Sequence, residues 1–468
     1  MSARAAARPA ASGPAAHSWA RLALPCLVVL LAFVLRVIDL PTVPFGWHPD
    51  EATKGLLARD VLAGKYHPAF FTAFTGRDAL YVYLEAAAFA LFGEGVLAGR
   101  LLSAFVGTLT VAATYALGRA MGSHRVGLLA SSLLAASLWH LIASRNGYRA
   151  VIQPLVQAPV LWVLFAEWRS DEVRRGSWLR FAAAGAALGL TQYTYTAARA
   201  FPLLVAALLV VAALAAPARV ANRKRQIALM LATALIVVLP LAVYFARHPS
   251  DLVGRAAQIA VFTPAWSGGR PWERLGRSVV ETLRMFSFWG DPNYRFNVAG
   301  QPVFGLPDGI LFYAGLLACL WQAIRSRRHA RIIGAALLLW LLIMLLPMTL
   351  SAEGLPYYQR AIGILPGIYL IAALGLDTAA RWPSTLRRPA ARNVAARIVA
   401  IAVTALVGWL FVRVWQDYFV AWHTNPRNDD DRRVAMVYAA DYLQREPATG
   451  ELYLSTAYAR HPTLAFLA

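Results

Sequence analysis

The sequence predicts a polytopic α-helical membrane protein of about eleven spans, with interfacial helices in its first outer loop and a short extracytoplasmic α/β segment near its C-terminus. Three observations carry that reading. The 468 residues are 59% hydrophobic and only 15% charged, whereas a soluble domain is about half apolar and about a quarter charged. Apolar runs long enough to cross a bilayer recur from residue 22 to residue 415. The basic residues between those runs fall at alternate connections, as the positive-inside bias of membrane proteins requires. That bias also accounts for the formal net charge of +21, so no nucleic-acid partner is expected.

Hydropathy places the spans near 22–40, 97–118, 126–143, 150–167, 178–194, 198–217, 227–246, 306–324, 332–350, 361–379 and 398–415. Arg119 and Arg125, Arg169 to Arg180, Arg219 to Arg225, Arg325 to Arg331 and Arg381 to Arg397 then share one side with Arg4, Arg8 and Arg21. This predicts a cytoplasmic basic tail over 1–21, a membrane domain over 22–415 and an extracytoplasmic segment over 416–468, small or truncated. The Ala/Pro-rich first 17 residues are expected to be unstructured.

The outer side receives two long loops, 41–96 and 247–305, and three short ones, Ser144–Ala150, Tyr193–Ala200 and Ser351–Arg360. In the first long loop Glu51–Gly64 reads as a helix with Asp50 near its N-cap. Ala79–Phe92 is apolar but short for a span, and reads as an interfacial helix with Tyr81 and Tyr83 at headgroup depth. Beyond the last span, Val434–Arg445 reads as a helix and the run from Glu451 to Thr456 as a strand.

Every candidate for chemistry falls on the outer side. Asp50 and Glu51, in His48-Pro-Asp-Glu, form an acidic pair beside a membrane, a costly placement that suits a general base, a metal ligand or an ion site. Arg77 and Asp78 precede the interfacial helix as a second polar group. Arg145 and Arg149 occupy one short outer loop; Arg199, near Tyr195, and Arg360, near Tyr357, end two others. Arginines there run against the positive-inside bias, and a guanidinium fork suits phosphate. Together these residues describe a base facing an anionic, membrane-embedded leaving group, with His48, Arg77, Asp78, Tyr195 and Tyr357 as further substrate or acceptor contacts. The stretch Trp289–Asn297, with Asp291 and Arg295, reads as a structured turn, with the lining of an acceptor or sugar pocket as the alternative. Cys26 and Cys319 lie in apolar runs and suggest neither a disulfide framework nor a thiolate site. The histidines lack zinc-ligand spacing. The rival class is a membrane transporter or lipid flippase, whose polar residues belong near midplane, often in repeated halves.

Asp50-Glu51 after the first span, Gly76-Arg-Asp-Ala-Leu-Tyr at the interfacial helix, Ala98-Gly-Arg-Leu-Leu-Ser-Ala and Tyr115-Ala-Leu-Gly-Arg together resemble the glycosyltransferase C superfamily. The nearest branch, family 39, includes protein O-mannosyltransferases and lipid A aminoarabinose transferases. The resemblance spans roughly 22–380 and is densest over 45–150. It implies a multi-pass enzyme of the plasma membrane that moves a sugar from a polyprenyl-phosphate donor to an acceptor hydroxyl, on a protein, glycolipid or glycan, with inversion. It makes Asp50 the base with Glu51 beside it, and has Arg145 or Arg149 hold the donor phosphate. Arg77-Asp78-Ala79 stands where the aminoarabinose branch has a lysine and paired prolines. The resemblance establishes no cofactor; some members use Mg or Mn, for which Asp50 and Asp78 would be the ligands.

Overall fold

The computed structural model describes residues 14–73, 76–326, 328–445 and 453–468. From the N-terminal side come α1 (Pro14–Val37), α2 (Pro49–Leu62), α3 (Leu80–Phe92), α4 (Val96–Met121), α5 (His124–Ala135), α6 (Leu138–Arg145), α7 (Ile152–Trp168), α8 (Ser177–Thr191) and α9 (Phe201–Ala215). Then follow α10 (Pro217–Asn222), α11 (Lys224–Arg247), α12 (Pro249–Ile259), α13 (Pro264–Ser267), α14 (Pro271–Arg284), α15 (Leu306–Arg325), α16 (Arg328–Thr349), α17 (Leu365–Ala380) and α18 (Pro389–Trp415). Four short helices close the chain: α19 (Pro426–Asp431), α20 (Val434–Arg445), α21 (Thr456–Ala459) and α22 (Pro462–Leu467).

Among the described residues eight helices are long and apolar enough to cross a membrane, and α5 with α6, bent by 63° at their junction, makes a ninth. The expected spans near 22–40 and 178–194 correspond to α1, apolar over Leu22–Val37, and to α8, only 15 residues long. The bend follows from Ser137, whose hydroxyl accepts the His140 amide and starts α6 afresh. Close helix packing rests on small residues. In the α15–α17 pair a Cβ on Gly315 would stand 1.8 Å from the Ile371 carbonyl oxygen, and one on Gly375 2.1 Å from that of Leu311.

The outer loops are structured. The helix expected over Glu51–Gly64 is present as α2, but its N-cap is His48, not Asp50. The interfacial helix is α3, with a correction: Tyr81 is buried, its hydroxyl on Ser103 and the Gly99 carbonyl, because α3 packs against α2 and α4. Between α2 and α3 Phe70–Phe71 pairs antiparallel with Arg77–Asp78, Phe70 opposite Asp78 and Phe71 opposite Arg77. Loop 247–305 holds α12 to α14. The helix expected over 434–445 is α20. The strand is not found: residues 453–455 are irregular and a helical turn begins at Thr456, while Glu451 and Leu452 lie outside the described residues. So do Arg4 and Arg8 of the basic tail, but Pro14–His17, expected to be unstructured, open α1. The last helix, α22, docks on α2, with Phe466 stacked on Trp47 and the Thr463 hydroxyl on the Trp47 carbonyl.

Candidate active site

Two neighbouring acids leave the start of α2 in different directions because successive residues of a helix diverge by about 100°. His48 caps the helix, its Nδ1 accepting the Asp50 amide at 2.9 Å. Glu51 completes the capping box by accepting the His48 amide at 3.1 Å. Its other oxygen accepts the Gly147 amide at 2.6 Å, in the α6–α7 connection. Glu51 is thus buried and saturated by backbone, whereas the Asp50 side chain stays 35% exposed. Of the expected catalytic pair only Asp50 faces open space; Glu51 fixes the backbone that presents it.

Three cations surround Asp50. Arg77 Nη2 lies 2.7 Å from one carboxylate oxygen and Arg295 Nη2 3.2 Å from the other. Lys54, one turn along α2, donates to the Asp50 carbonyl. The short strand 77–78 sends alternate side chains to opposite faces, so Arg77 meets Asp50 while Asp78 turns inward. Burial raises the proton affinity of Asp50, but Arg77, Lys54 and Arg295 outweigh it and hold the carboxyl well below the ordinary range. Burial brings Lys54 down to about 8. His48 is kept neutral by burial and by Arg295.

Asp50 opens onto a cavity of about 1050 Å³. Of the residues singled out in the sequence, this cavity gathers Arg77, Arg149, Tyr195, Arg199, Tyr357 and Arg360 around Asp50. Arg149 lies over the Tyr195 ring at 5.4 Å, and its Nη1 is buried without a hydrogen-bond partner among the described residues. Arg199 donates to the Leu252 carbonyl, and Arg360 pairs with Glu353. Asp78, 2% exposed, sits behind the wall 3.8 Å from both Arg149 and Arg199. It orients two arginines and does not face the cavity. Leu252, Val253, Ile259 and Phe262, from α12 and the turn after it, give the same cavity an apolar side.

Arg145 is elsewhere, and its expected role as a phosphate ligand is corrected. Its guanidinium is fully buried and donates to the carbonyls of Leu35, Ile38 and Val43 at 2.7–2.8 Å, with the Tyr418 and Phe419 rings against it. It ties α6 to the end of α1. His48 also lies outside the cavity lining, its ring against Arg295. No group of three His, Cys, Asp or Glu side chains with metal-binding geometry occurs among the described residues. Asp50 and Asp78 each stand between arginines, so a divalent cation on either would meet like charges at close range.

Three further residues belong to the site, two from a stretch for which the turn was preferred over the pocket wall and one not singled out. Arg295 and Asp291 come from the loop read as a turn, and Lys54 was read only as part of α2. The turn reading is half right. Asp291 accepts the amides of Asn293 and Tyr358, each at 2.8 Å, and so joins this loop to the segment carrying Arg360. Burial pushes the Asp291 carboxyl up to about 7. The available signal was two charged residues among aromatics in an outer loop.

Residues 79–244 match the family described as dolichyl-phosphate-mannose-protein mannosyltransferase. The match takes in Arg149 and Arg199 but begins after Asp50. The structure is similar to ArnT from Cupriavidus metallidurans in the apo state, at 16% identity and a TM-score of 0.60, over 97% of this chain and 84% of that one. The undecaprenyl phosphate complex of the same protein gives 16% identity and a TM-score of 0.57, over 97% and 85%. The chain has the glycosyltransferase C fold. The family match, over about a third of the chain, and this fold bear out the resemblance read in the sequence and point to a membrane glycosyltransferase. The oligosaccharyltransferase of Archaeoglobus fulgidus, tethered to an acceptor peptide, is also similar, at 15% identity and a TM-score of 0.58. That similarity covers 95% of this chain and 60% of the archaeal one. No curated protein sequence matches.

Proposed function

We propose that this glycosyltransferase moves a sugar from a polyprenyl-phosphate donor to an acceptor hydroxyl on the outer face of the plasma membrane, with inversion at the anomeric carbon. The observation that carries the reading is a half-open carboxylate, Asp50, in one cavity with five arginines. The apolar side formed by α12 suits the isoprenoid chain, the arginines suit the phosphate, and Asp50 suits the acceptor. Undecaprenyl phosphate in ArnT and dolichyl-phosphate mannose in the matched family support a donor of this class. The basic loops, read as cytoplasmic with the N-terminus, support a cavity on the outer side.

Asp50 takes the proton of the acceptor hydroxyl as its oxygen attacks the anomeric carbon. The bond from that carbon to the phosphate oxygen breaks on the opposite face, and the phosphate leaves with the electron pair. Arg77 and Arg295 serve twice. In the empty site they hold Asp50 as a stable, weak base. A phosphate placed against them adds negative charge beside Asp50, raising its proton affinity. The base thus strengthens when donor is bound. As charge grows on the leaving phosphate the arginines bind it more tightly, which stabilises the transition state selectively. The site does not fit a divalent cation, and no step passes through one.

The test is sugar transfer by the purified chain in liposomes, with a panel of radiolabelled polyprenyl-phosphate sugars and a membrane and periplasmic extract as acceptor. Asp50→Asn should stay folded and lose transfer by roughly a hundredfold or more, as expected when a general base is removed. Near-normal transfer by that variant would overturn the base assignment.

A further inference from the structure

The helix ends opposite the candidate active site enclose a second cavity, of about 380 Å³. It lies where α4 turns into α5, α7 ends, α15 turns into α16 and α17 ends. The site around Asp50 sits at the other ends of α7, α16 and α17. The deep walls are Met121, Val126, Ile333, Leu337 and Leu370, all buried. Close-packed interiors leave few voids larger than a water molecule. This one falls within the range of ligand pockets, roughly 300–1,000 Å³.

The rim has the opposite character. Arg169 and Arg381 line it and are exposed, with His329 and Asp377 between them. Arg381 pairs with Asp377 at 2.6 Å. Arg169 donates to the Arg119 carbonyl at 2.9 Å, a contact that leaves its charge uncompensated by a carboxylate. Asp377, 3% exposed, has one carboxylate oxygen without a hydrogen-bond partner among the described residues, and so does Nδ1 of His329. The rim is therefore net positive, yet it also holds a buried carboxylate oxygen that needs a donor and an imidazole nitrogen that can donate or accept.

We infer that this cavity binds one membrane lipid from the leaflet opposite the active site, a phosphodiester headgroup at the rim and the end of one chain in the depth. The guanidiniums of Arg169 and Arg381 hold the phosphate. A hydroxyl or ammonium on the headgroup meets Asp377 and His329. A chain end replaces the contacts that Leu337 and Leu370 lack across the void. Simple snorkelling of arginines to any headgroup needs neither the void nor the buried carboxylate oxygen.

The test is native mass spectrometry of the full chain after reconstitution in bilayers of phosphatidylglycerol and phosphatidylcholine in equal parts. Both carry phosphate, but only phosphatidylglycerol has donors for Asp377 and His329. One phosphatidylglycerol should stay bound per protein, preferred over phosphatidylcholine by roughly tenfold, about one charge-assisted hydrogen bond. Arg169→Gln should lower that preference, Arg169→Lys should keep most of it, and Leu370→Phe, which fills the depth, should evict the lipid with the rim intact. Equal retention of both lipids, or retention unchanged in Leu370→Phe, would overturn the inference. Displacement by inorganic phosphate alone would also overturn it, since the depth would then contribute nothing. Each variant is accepted only if it stays monodisperse and melts with wild type; should Leu370→Phe fail, Leu337→Phe blocks the same depth.

Discussion

Arg295 and Asp50, 245 residues apart in the chain, meet at 3.2 Å at the edge of the cavity. The contact joins the loop before α15 to the first turn of α2 and gives the candidate base a second guanidinium beside that of Arg77. Removing Arg295 should release Asp50 toward ordinary carboxylate behaviour and remove one donor to the departing phosphate. Arg295→Gln is expected to lower turnover by roughly a hundredfold, the usual loss for one preorganised donor. In wild type the acid limb of kcat/KM, which reports the free enzyme, should lie below the ordinary carboxylate range, and the limb of kcat should lie higher than that of kcat/KM. In Arg295→Gln the kcat/KM limb should move up. Unchanged turnover and an unmoved limb would remove Arg295 from the site.

Arg145 and Arg149 are one turn apart in sequence and should behave as different kinds of residue. Arg145→Gln leaves up to three buried carbonyls short of donors, each costing about 1–3 kcal/mol. It should lower the melting temperature and yield, while the folded fraction keeps a normal KM for donor. Arg149→Gln should melt like wild type and raise the donor KM several-fold, because Arg149 lines the cavity and carries no full carboxylate pairing, Asp78 standing 3.8 Å away. Thermal scans beside donor titrations separate the two. The reverse pattern would refute the division drawn between them.

That division shows what a sequence conveys and what it withholds. Long apolar helices, the outer placement of the acids and the helix after Pro49 were legible because they depend on local composition and period. The count of spans was less so. A break at Ser137 and a 15-residue α8 depend on neighbours that let short helices stay buried. Apart from the resemblance, which favoured Asp50, the local sequence did not tell Asp50 from Glu51, since the cap residue decides which of two adjacent acids faces the protein. Arg145 was misjudged for a related reason: its partners are carbonyls in the last turn of α1 and the loop after it, more than a hundred residues away. Arg295 contacts Asp50 only through tertiary structure, and its local stretch, two charged residues among aromatics, suits a pocket wall and a turn alike.

Charge around the two acids Asp50 and Asp78 bears on metal dependence. Asp50 sits between Arg77 and Arg295, and Asp78 between Arg149 and Arg199. A divalent cation would have to displace guanidiniums from both to gain two ligands. Transfer should therefore survive extensive chelation with EDTA, within about twofold, and added Mg or Mn should not raise it, because the arginines already supply the charge that stabilises the leaving phosphate. Loss of transfer on chelation, restored by one of those metals, would show that the donor-bound site rearranges its arginines.

Asp291 offers a readout independent of catalysis. Its folded carboxyl holds a proton up to about 7, while the unfolded chain releases it near the reference value of 3.8. Between those limits the unfolded state binds fewer protons, so this group's contribution to stability falls as pH rises and is lost above about 7. Asp291→Asn cannot ionise. It keeps one amide acceptor and gives up the other, so it should start less stable than wild type at pH 4. The gap should then close as pH rises to 8, because only wild type must bury a charge. Melting temperatures of both proteins in detergent across that range check this. A gap constant with pH would mean that Asp291 is already ionised in the folded chain, joined to Arg360 more closely than to the backbone of Tyr358.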